Sequence, residues 1–137
     1  MSARSFLDSN VLIYTDDAGA KAKQAVALTL VEQCQARRTG VLSTQVLQEY
    51  FVITTRKLGV DVLLARQKVE LFSRLTLVAT GVDDVLAAID LHRLHGISFW
   101  DALIVRSALT AGCTRLYSED LQNGRRIDGL EIVNPFR

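Results

Sequence analysis

The sequence predicts a three-layer α/β domain in which a five-stranded parallel sheet carries helices on both faces. Short apolar runs that read as strands alternate with longer segments of helical period. Successive strand candidates are separated by one or two helices with no tight hairpin signal, which makes neighbouring strands parallel. One proline and eight glycines in 137 residues, 49% of them hydrophobic, disfavour a many-turned all-β chain and favour a single domain over residues 1–137.

The first strand covers Arg4 to Leu7, and after the Ser9-Asn10 break the apolar run Val11 to Tyr14 opens a helix. A second helix runs from about Ala20 to Arg38, with Ala25, Leu28, Val31 and Ala36 near one face and Gly40 as its stop. Val41-Leu42 forms a brief strand. Ser43 or Thr44 caps the next helix, which Gly59 ends after about Leu58. Another helix spans Val62 to Arg74, followed by a strand from Leu75 to Ala79. Helices from Asp83 to His95 and from Phe99 to Ala111 close at Gly96 and Gly112. Arg115 to Tyr117 and Glu131 to Val133 complete the strands.

Sixteen Lys+Arg against fifteen Asp+Glu leave a net charge of +1, so no global field advertises nucleic acid or membrane. Twelve of the cations are arginine, with doublets at Arg37-Arg38 and Arg125-Arg126 that suit phosphate, a helix end or simple solvation. No apolar run reaches membrane-spanning length, and Asp8, Asp16 and Asp17 spoil an N-terminal signal, so the expected compartment is the cytoplasm, with no membrane partner. Cys34 and Cys113 read as reduced, buried thiols. His92 and His95 stand at i, i+3, where the helix dipole explains them more simply than a metal. Phe51, Phe99 and Trp100 read as core or dimer packing before base stacking.

The chemistry concentrates at the carboxyl ends of the strands, where open parallel sheets bind ligands. Asp8 follows the first strand, and Asp120 follows the strand in RLYSEDLQNG. Glu49 lies a turn and a half into the helix that Ser43 and Thr44 open, on the row of Val46 and Ile53. Asp101 interrupts the apolar face of FWDALIVRSALTA in its first turn, where an uncompensated charge costs several kcal/mol, on the order of a buried ion's penalty. A capping box with Ser98 or a divalent ion can compensate it. Each acid alone has an ordinary explanation as a cap or a solvated side chain. Four of them converging on one rim repel unless a cation is present. An all-oxygen site of this kind suits Mg²⁺ or Mn²⁺, whose chemistry is that of phosphodiester hydrolysis.

FLDSNVLIY, the isolated Glu49 in LQEYF, FWDALIV and YSEDLQNG follow one another in an order and spacing that resembles a PIN-domain ribonuclease over nearly the whole chain. The compact size is similar to that of the VapC-type toxins of bacterial toxin–antitoxin pairs. The resemblance implies a PIN-like fold, RNA as substrate, a cognate small antitoxin, a homodimer, and Mg²⁺ or Mn²⁺ held by Asp8, Glu49, Asp101 and Asp120. It makes Asn10 and Ser118 polar neighbours that orient water or a carboxylate, and it implies an antitoxin that inserts a cation into the acidic pocket while an apolar segment lies across nearby helices. Glu119 beside Asp120 departs from the pattern and makes the fourth acid less secure.

Two other classes compete. A receiver-type signalling or aspartyl-phosphate phosphotransfer domain would place its nucleophile at Asp8, but it needs a lysine after a late strand, and the last lysine here is Lys68. A non-catalytic binding domain would leave the acids without turnover.

Overall fold

The computed structural model describes residues 3–137. Its elements are β1 (Arg4–Leu7), α1 (Ser9–Tyr14), α2 (Lys21–Arg37), β2 (Gly40–Ser43), α3 (Thr44–Lys57), α4 (Val62–Phe72), β3 (Thr76–Val78), α5 (Val82–His95), α6 (Phe99–Thr110), β4 (Cys113–Tyr117), β5 (Arg126–Ile127) and β6 (Leu130–Val133). One sheet orders them β3-β2-β1-β4-β6-β5, and every pairing is parallel except β5 with β6.

That last pairing corrects the five-stranded parallel sheet read from the sequence. Arg126 pairs with Glu131 and Ile127 with Leu130, which leaves Asp128-Gly129 as a two-residue hairpin loop. Both loop residues take positive φ, 50° and 86°, the requirement of a type I′ turn and the reason an Asp-Gly pair sits there. The additional strand, β5, is too short for an alternating pattern, but the Asp-Gly step is a legible hairpin signal.

Phe6 stands in register with Val41 on one side and Leu116 on the other, and Leu116 with Ile132, so four fully buried side chains cross the middle of the sheet. Burying each contributes roughly 1.5–3 kcal/mol. All of β2 is buried, and α2, α3 and α6 each touch it, as a strand covered on both faces requires. The α6 helix is apolar almost all round because α5 covers it on one side and the sheet on the other. Its polar Arg106 reaches Asp84 of α5 at 2.9 Å, and Ser107 turns its hydroxyl back to the Leu103 carbonyl at 3.0 Å.

The stop of α2 also differs from expectation. Arg38, not Gly40, takes the left-handed cap conformation with φ 55°. Gly40 instead opens β2, where a Cβ would meet the Cys34 Cβ at 3.0 Å and the Leu75 Cδ2 at 3.2 Å. Close packing of α2 on the sheet, rather than a turn, selects that glycine. Cys34 and Cys113 are both free and buried. Trp100 is 63% exposed beside Asp101, which removes the core half of its expected core or dimer packing.

Candidate active site

The central strands β1 and β4 end side by side, and their ends are tied by the Asp8 amide donating to the Tyr117 carbonyl at 3.0 Å. Asp8 is then the N-cap of α1. Its Oδ1 accepts from the Ser9 amide at 2.7 Å, and its Oδ2 accepts from the Ser118 hydroxyl at 2.7 Å. The ordinary capping role and the site position therefore belong to the same residue, and the residue is buried.

Ser118 is the hub of the rim. Besides donating to Asp8, its Oγ accepts from the Asp120 amide at 3.1 Å and faces the Asn10 Nδ2 at 3.4 Å. Asn10 Nδ2 donates to the Asp120 Oδ2 at 3.2 Å, while the Asn10 Oδ1 accepts from the Glu119 amide at 3.2 Å. Asn10 thus grips the 118–120 turn from both ends of its amide, and Asp120 is held toward α1 although it is exposed.

Glu119 faces the other way. Its carboxylate accepts from the Tyr14 hydroxyl at 2.6 Å and is ion-paired with Lys23, whose ammonium also lies over the Tyr14 ring at 4.9 Å. Burial pushes the Glu119 carboxyl up, but the Lys23 ammonium and Tyr14 hydroxyl outweigh it and hold it below the usual carboxylate range. Of the two adjacent acids, only Asp120 has its carboxylate bonded to Asn10. Lys23 and Tyr14 are the parts of this rim that the sequence does not disclose, because Lys23 and Glu119 are 96 residues apart and no local pattern links them.

Ser43 caps α3, its Oγ accepting from the Val46 amide at 3.4 Å, and Glu49 follows half-buried on that helix. Burial pushes its carboxyl up against the pull of Ser9, and the Asp101 and Asp120 carboxylates add to the rise. Ser98 likewise caps α6, its Oγ accepting from the Asp101 amide at 3.1 Å. Only that half of the expected capping box is closed, since among the described residues the Ser98 amide makes no bond to the Asp101 carboxylate. Burial raises Asp101 as well, with Asp120 repelling it. Asp8 is raised to about 7, chiefly by burial, with Glu49 and Asp120 adding to it and the Ser118 and Ser9 bonds opposing it.

The structure therefore brings Asp8, Asn10, Ser118 and Asp120 into one hydrogen-bonded set, with Glu49 and Asp101 near enough to be repelled by it. Among the described residues, none of the four candidate acids is in a salt bridge. No three of the described His, Cys, Asp or Glu side chains stand close enough to grip one ion as they are placed. Mutual repulsion favours keeping the acids apart. The donor set nonetheless fits a hard divalent cation, being all oxygen, partly desolvated and, among the described residues, free of any competing cation. Gln45, on the same helix as Glu49, adds a buried Oε1 with no hydrogen-bond partner among the described residues. His92 belongs elsewhere, its ring bonded to the Ile97 carbonyl at 2.5 Å at the end of α5.

A family model described as PIN domain matches residues 5–129. Comparison with curated proteins gives no match. Among solved structures, VapC20 of Mycobacterium tuberculosis, described as a Sarcin-Ricin loop cleaving toxin, aligns at a TM-score of 0.67 and 21% identity over 85% of this chain and 89% of that one. VapBC2 from Rickettsia felis, bound to a DNA fragment from its promoter, aligns at 0.66 and 19% identity over 93% and 96% of the two chains. A toxin–antitoxin complex from Klebsiella pneumoniae gives 0.64 and 16% identity over 96% and 97%. At such identities the likeness establishes a shared fold.

Proposed function

The chain belongs to the PIN-domain family, and from that premise we propose that it is a divalent-metal-dependent endoribonuclease and the toxin of a toxin–antitoxin pair. The observation that carries this reading is the buried Asp8 carboxylate, joined through Ser118 and Asn10 to Asp120 and repelled by Glu49, with no cation among the described residues to compensate any of them. The resemblance to a toxin described as cleaving the Sarcin-Ricin loop supports RNA as the substrate class.

In this reading Asp8, Glu49, Asp101 and Asp120 hold Mg²⁺ or Mn²⁺, with Asn10 and Ser118 as accessory polar groups. The ion's contribution when bound is to polarise a phosphoryl oxygen and to offset the charge that builds on the leaving oxygen. Ser118 fixes the Asp8 Oδ2, and Asn10 fixes the Asp120 Oδ2, so both carboxylates are oriented before substrate arrives. Without the ion Asp8 holds a proton up to about neutrality, and cation binding displaces it. Purified protein is expected to cut single-stranded RNA internally with Mg²⁺ or Mn²⁺ and to stop in EDTA. Cleavage that persists in EDTA after purification would remove the reading.

The neighbouring surfaces suit the proposed partners. A cleft of about 410 Å³ between α3 and α4 is lined by Leu47, Phe51, Val62 and Val69, and Leu63 and Leu64 stand exposed on α4. An antitoxin laying an apolar segment there while a cation reaches the carboxylates would neutralise the enzyme. Val82, Leu86, Leu94 and Trp100 are exposed along α5 and the start of α6 and suit a second copy of the chain. Expression of the active chain alone should arrest growth, and the co-expressed pair should purify together with a mass by light scattering that contains two copies. Harmless overexpression of active enzyme argues against the toxin role, and a single copy removes the dimer. No helix of the described residues is long and apolar enough to cross a membrane, and we place the enzyme in the cytoplasm with its RNA substrate.

A further inference from the structure

The carboxylate rim is poorly suited to attract the polyanion it is proposed to cut. Four acids gather there, the nearby Lys23 is already paired with Glu119, and one divalent ion offsets only part of the charge. Affinity for RNA comes from cations that neutralise phosphates, and most of this chain's exposed arginines lie away from the rim.

The opposite end of the sheet supplies them. Arg37 and Arg38 end α2 just before β2 begins, and Arg74 follows α4 just before β3. A cleft of about 590 Å³ there is lined by Gln35, Arg38, Arg74 and Thr76, among others. A second, of about 370 Å³, shares the α2 terminus and takes in Arg37 and Arg115. Among the described residues, no acidic side chain lines either one. Helix C-termini attract cations on their own account, and two arginines of this fold serve in that way. Arg4 Nη1 donates to the Ala111 carbonyl at the end of α6, and Arg125 Nη2 to the His95 carbonyl at the end of α5. Arg37, Arg38 and Arg74 also stand at helix C-termini, but among the described residues their side chains donate to no terminal carbonyl. All three are exposed, and among the described residues none is in a salt bridge. Arg38 even occupies the left-handed position that glycine or asparagine fills at lower cost, so ending the helix does not by itself call for arginine.

We propose that this arginine-lined face binds the phosphate backbone of single-stranded RNA and holds the substrate strand whose cleavage occurs at the carboxylate rim. The planar guanidinium fork matches phosphate oxygens, and unpaired forks around open, acid-free clefts fit a run of phosphates. The strands between the two ends are four or five residues long, roughly 15 Å at the rise of a strand, so one RNA strand passing along a flank spans both. The identity of the polyanion rests on the ribonuclease reading; the site itself does not.

The test is fluorescence anisotropy of a labelled single-stranded RNA with the full chain in EDTA, across a salt series. Arg38→Ala combined with Arg74→Ala should weaken binding roughly tenfold and reduce the salt slope by about 1.4, or 0.7 for each phosphate that is no longer neutralised. Arg66→Ala, which removes an exposed charge paired with Glu70, should change neither. Thermal melts establish that the variants fold, and Arg38→Gln with Arg74→Gln repeats the test without shortening the side chains as far. Wild-type affinity and slope in both double variants would overturn the proposal, as would absence of RNA binding by the wild type. Displacement of the RNA by polyglutamate at equal charge would also overturn it, in favour of an acidic peptide. Binding through these arginines without cleavage in Mg²⁺ or Mn²⁺ would instead refute the ribonuclease reading and leave this one standing.

Discussion

Asp8→Asn and Asp101→Asn should each lower the proposed RNA cleavage in Mg²⁺ by at least ~10²-fold, the scale of losing one major electrostatic contribution to the transition state, while Glu119→Gln should stay within a few-fold of wild type. The contrast is what makes the result informative. Asparagine is as good an N-cap as aspartate, so Asp8→Asn keeps α1 and its bond from Ser9. Asp101→Asn leaves the Ser98 cap of α6 in place, because that bond uses the Asp101 amide and not its carboxylate. Thermal melts beside the cleavage assay show whether each variant is folded. Glu119 is engaged with Lys23 and Tyr14 instead of the acid set, so neutralising it touches the support of the rim and leaves its charge. Loss of activity in Glu119→Gln with retention in an Asp120→Asn variant would reverse the assignment of the fourth acid.

The sequence is most legible where one residue has both a local and a long-range reason to be where it is. Asp8, Ser43 and Ser98 each stand at the start of a helix and cap it, so cap patterns alone locate the starts of α1, α3 and α6, the helices that carry or adjoin three of the candidate acids. Asp101 is conspicuous because a carboxylate breaks an otherwise apolar helix. Periodicity carries no information across the chain, however, and the choice between Glu119 and Asp120 depends on Lys23, 96 residues away from Glu119. The β5 strand is a different case. Its two residues are held by a turn and a single partner strand, so the signal lies wholly in Asp128-Gly129 and not in any alternation. Gly40 misleads because a glycine after a helix looks like a stop, whereas the contact that requires it comes from Leu75 and Cys34 in space.

Metal-free stability should fall as pH rises through neutrality, and Asp8→Asn should abolish most of that fall. Burial, with Glu49 and Asp120 nearby, raises the Asp8 carboxyl from 3.8 to about 7. Between those two values the folded protein binds a proton that the unfolded chain has released. Its contribution is therefore complete below about pH 4 and is lost as pH rises through 7. From pH 5 to pH 8 in EDTA the wild type should lose on the order of 3 kcal/mol, and the raised Glu49 and Asp101 act in the same direction. Glu119 and Asp84, whose carboxyls are held low, lose stability only in more acidic solution, outside this window. At pH 8 Asp8→Asn and Asp120→Asn should each melt above wild type, by about 1 kcal/mol, because a like charge is removed while shape and much of the hydrogen bonding remain. Mg²⁺ or Mn²⁺ at ten times its dissociation constant should stabilise the wild type by roughly 1.4 kcal/mol. At a fixed ion concentration the gain should be larger at pH 8 than at pH 6, since the ion must displace the Asp8 proton and its dissociation constant rises as pH falls. Separate structural caps predict the opposite pattern, with Asn variants neutral or weakened and no response to metal. If both variants melt below wild type in EDTA at pH 8 and neither ion shifts any of the three proteins, the four carboxylates do not share a cation.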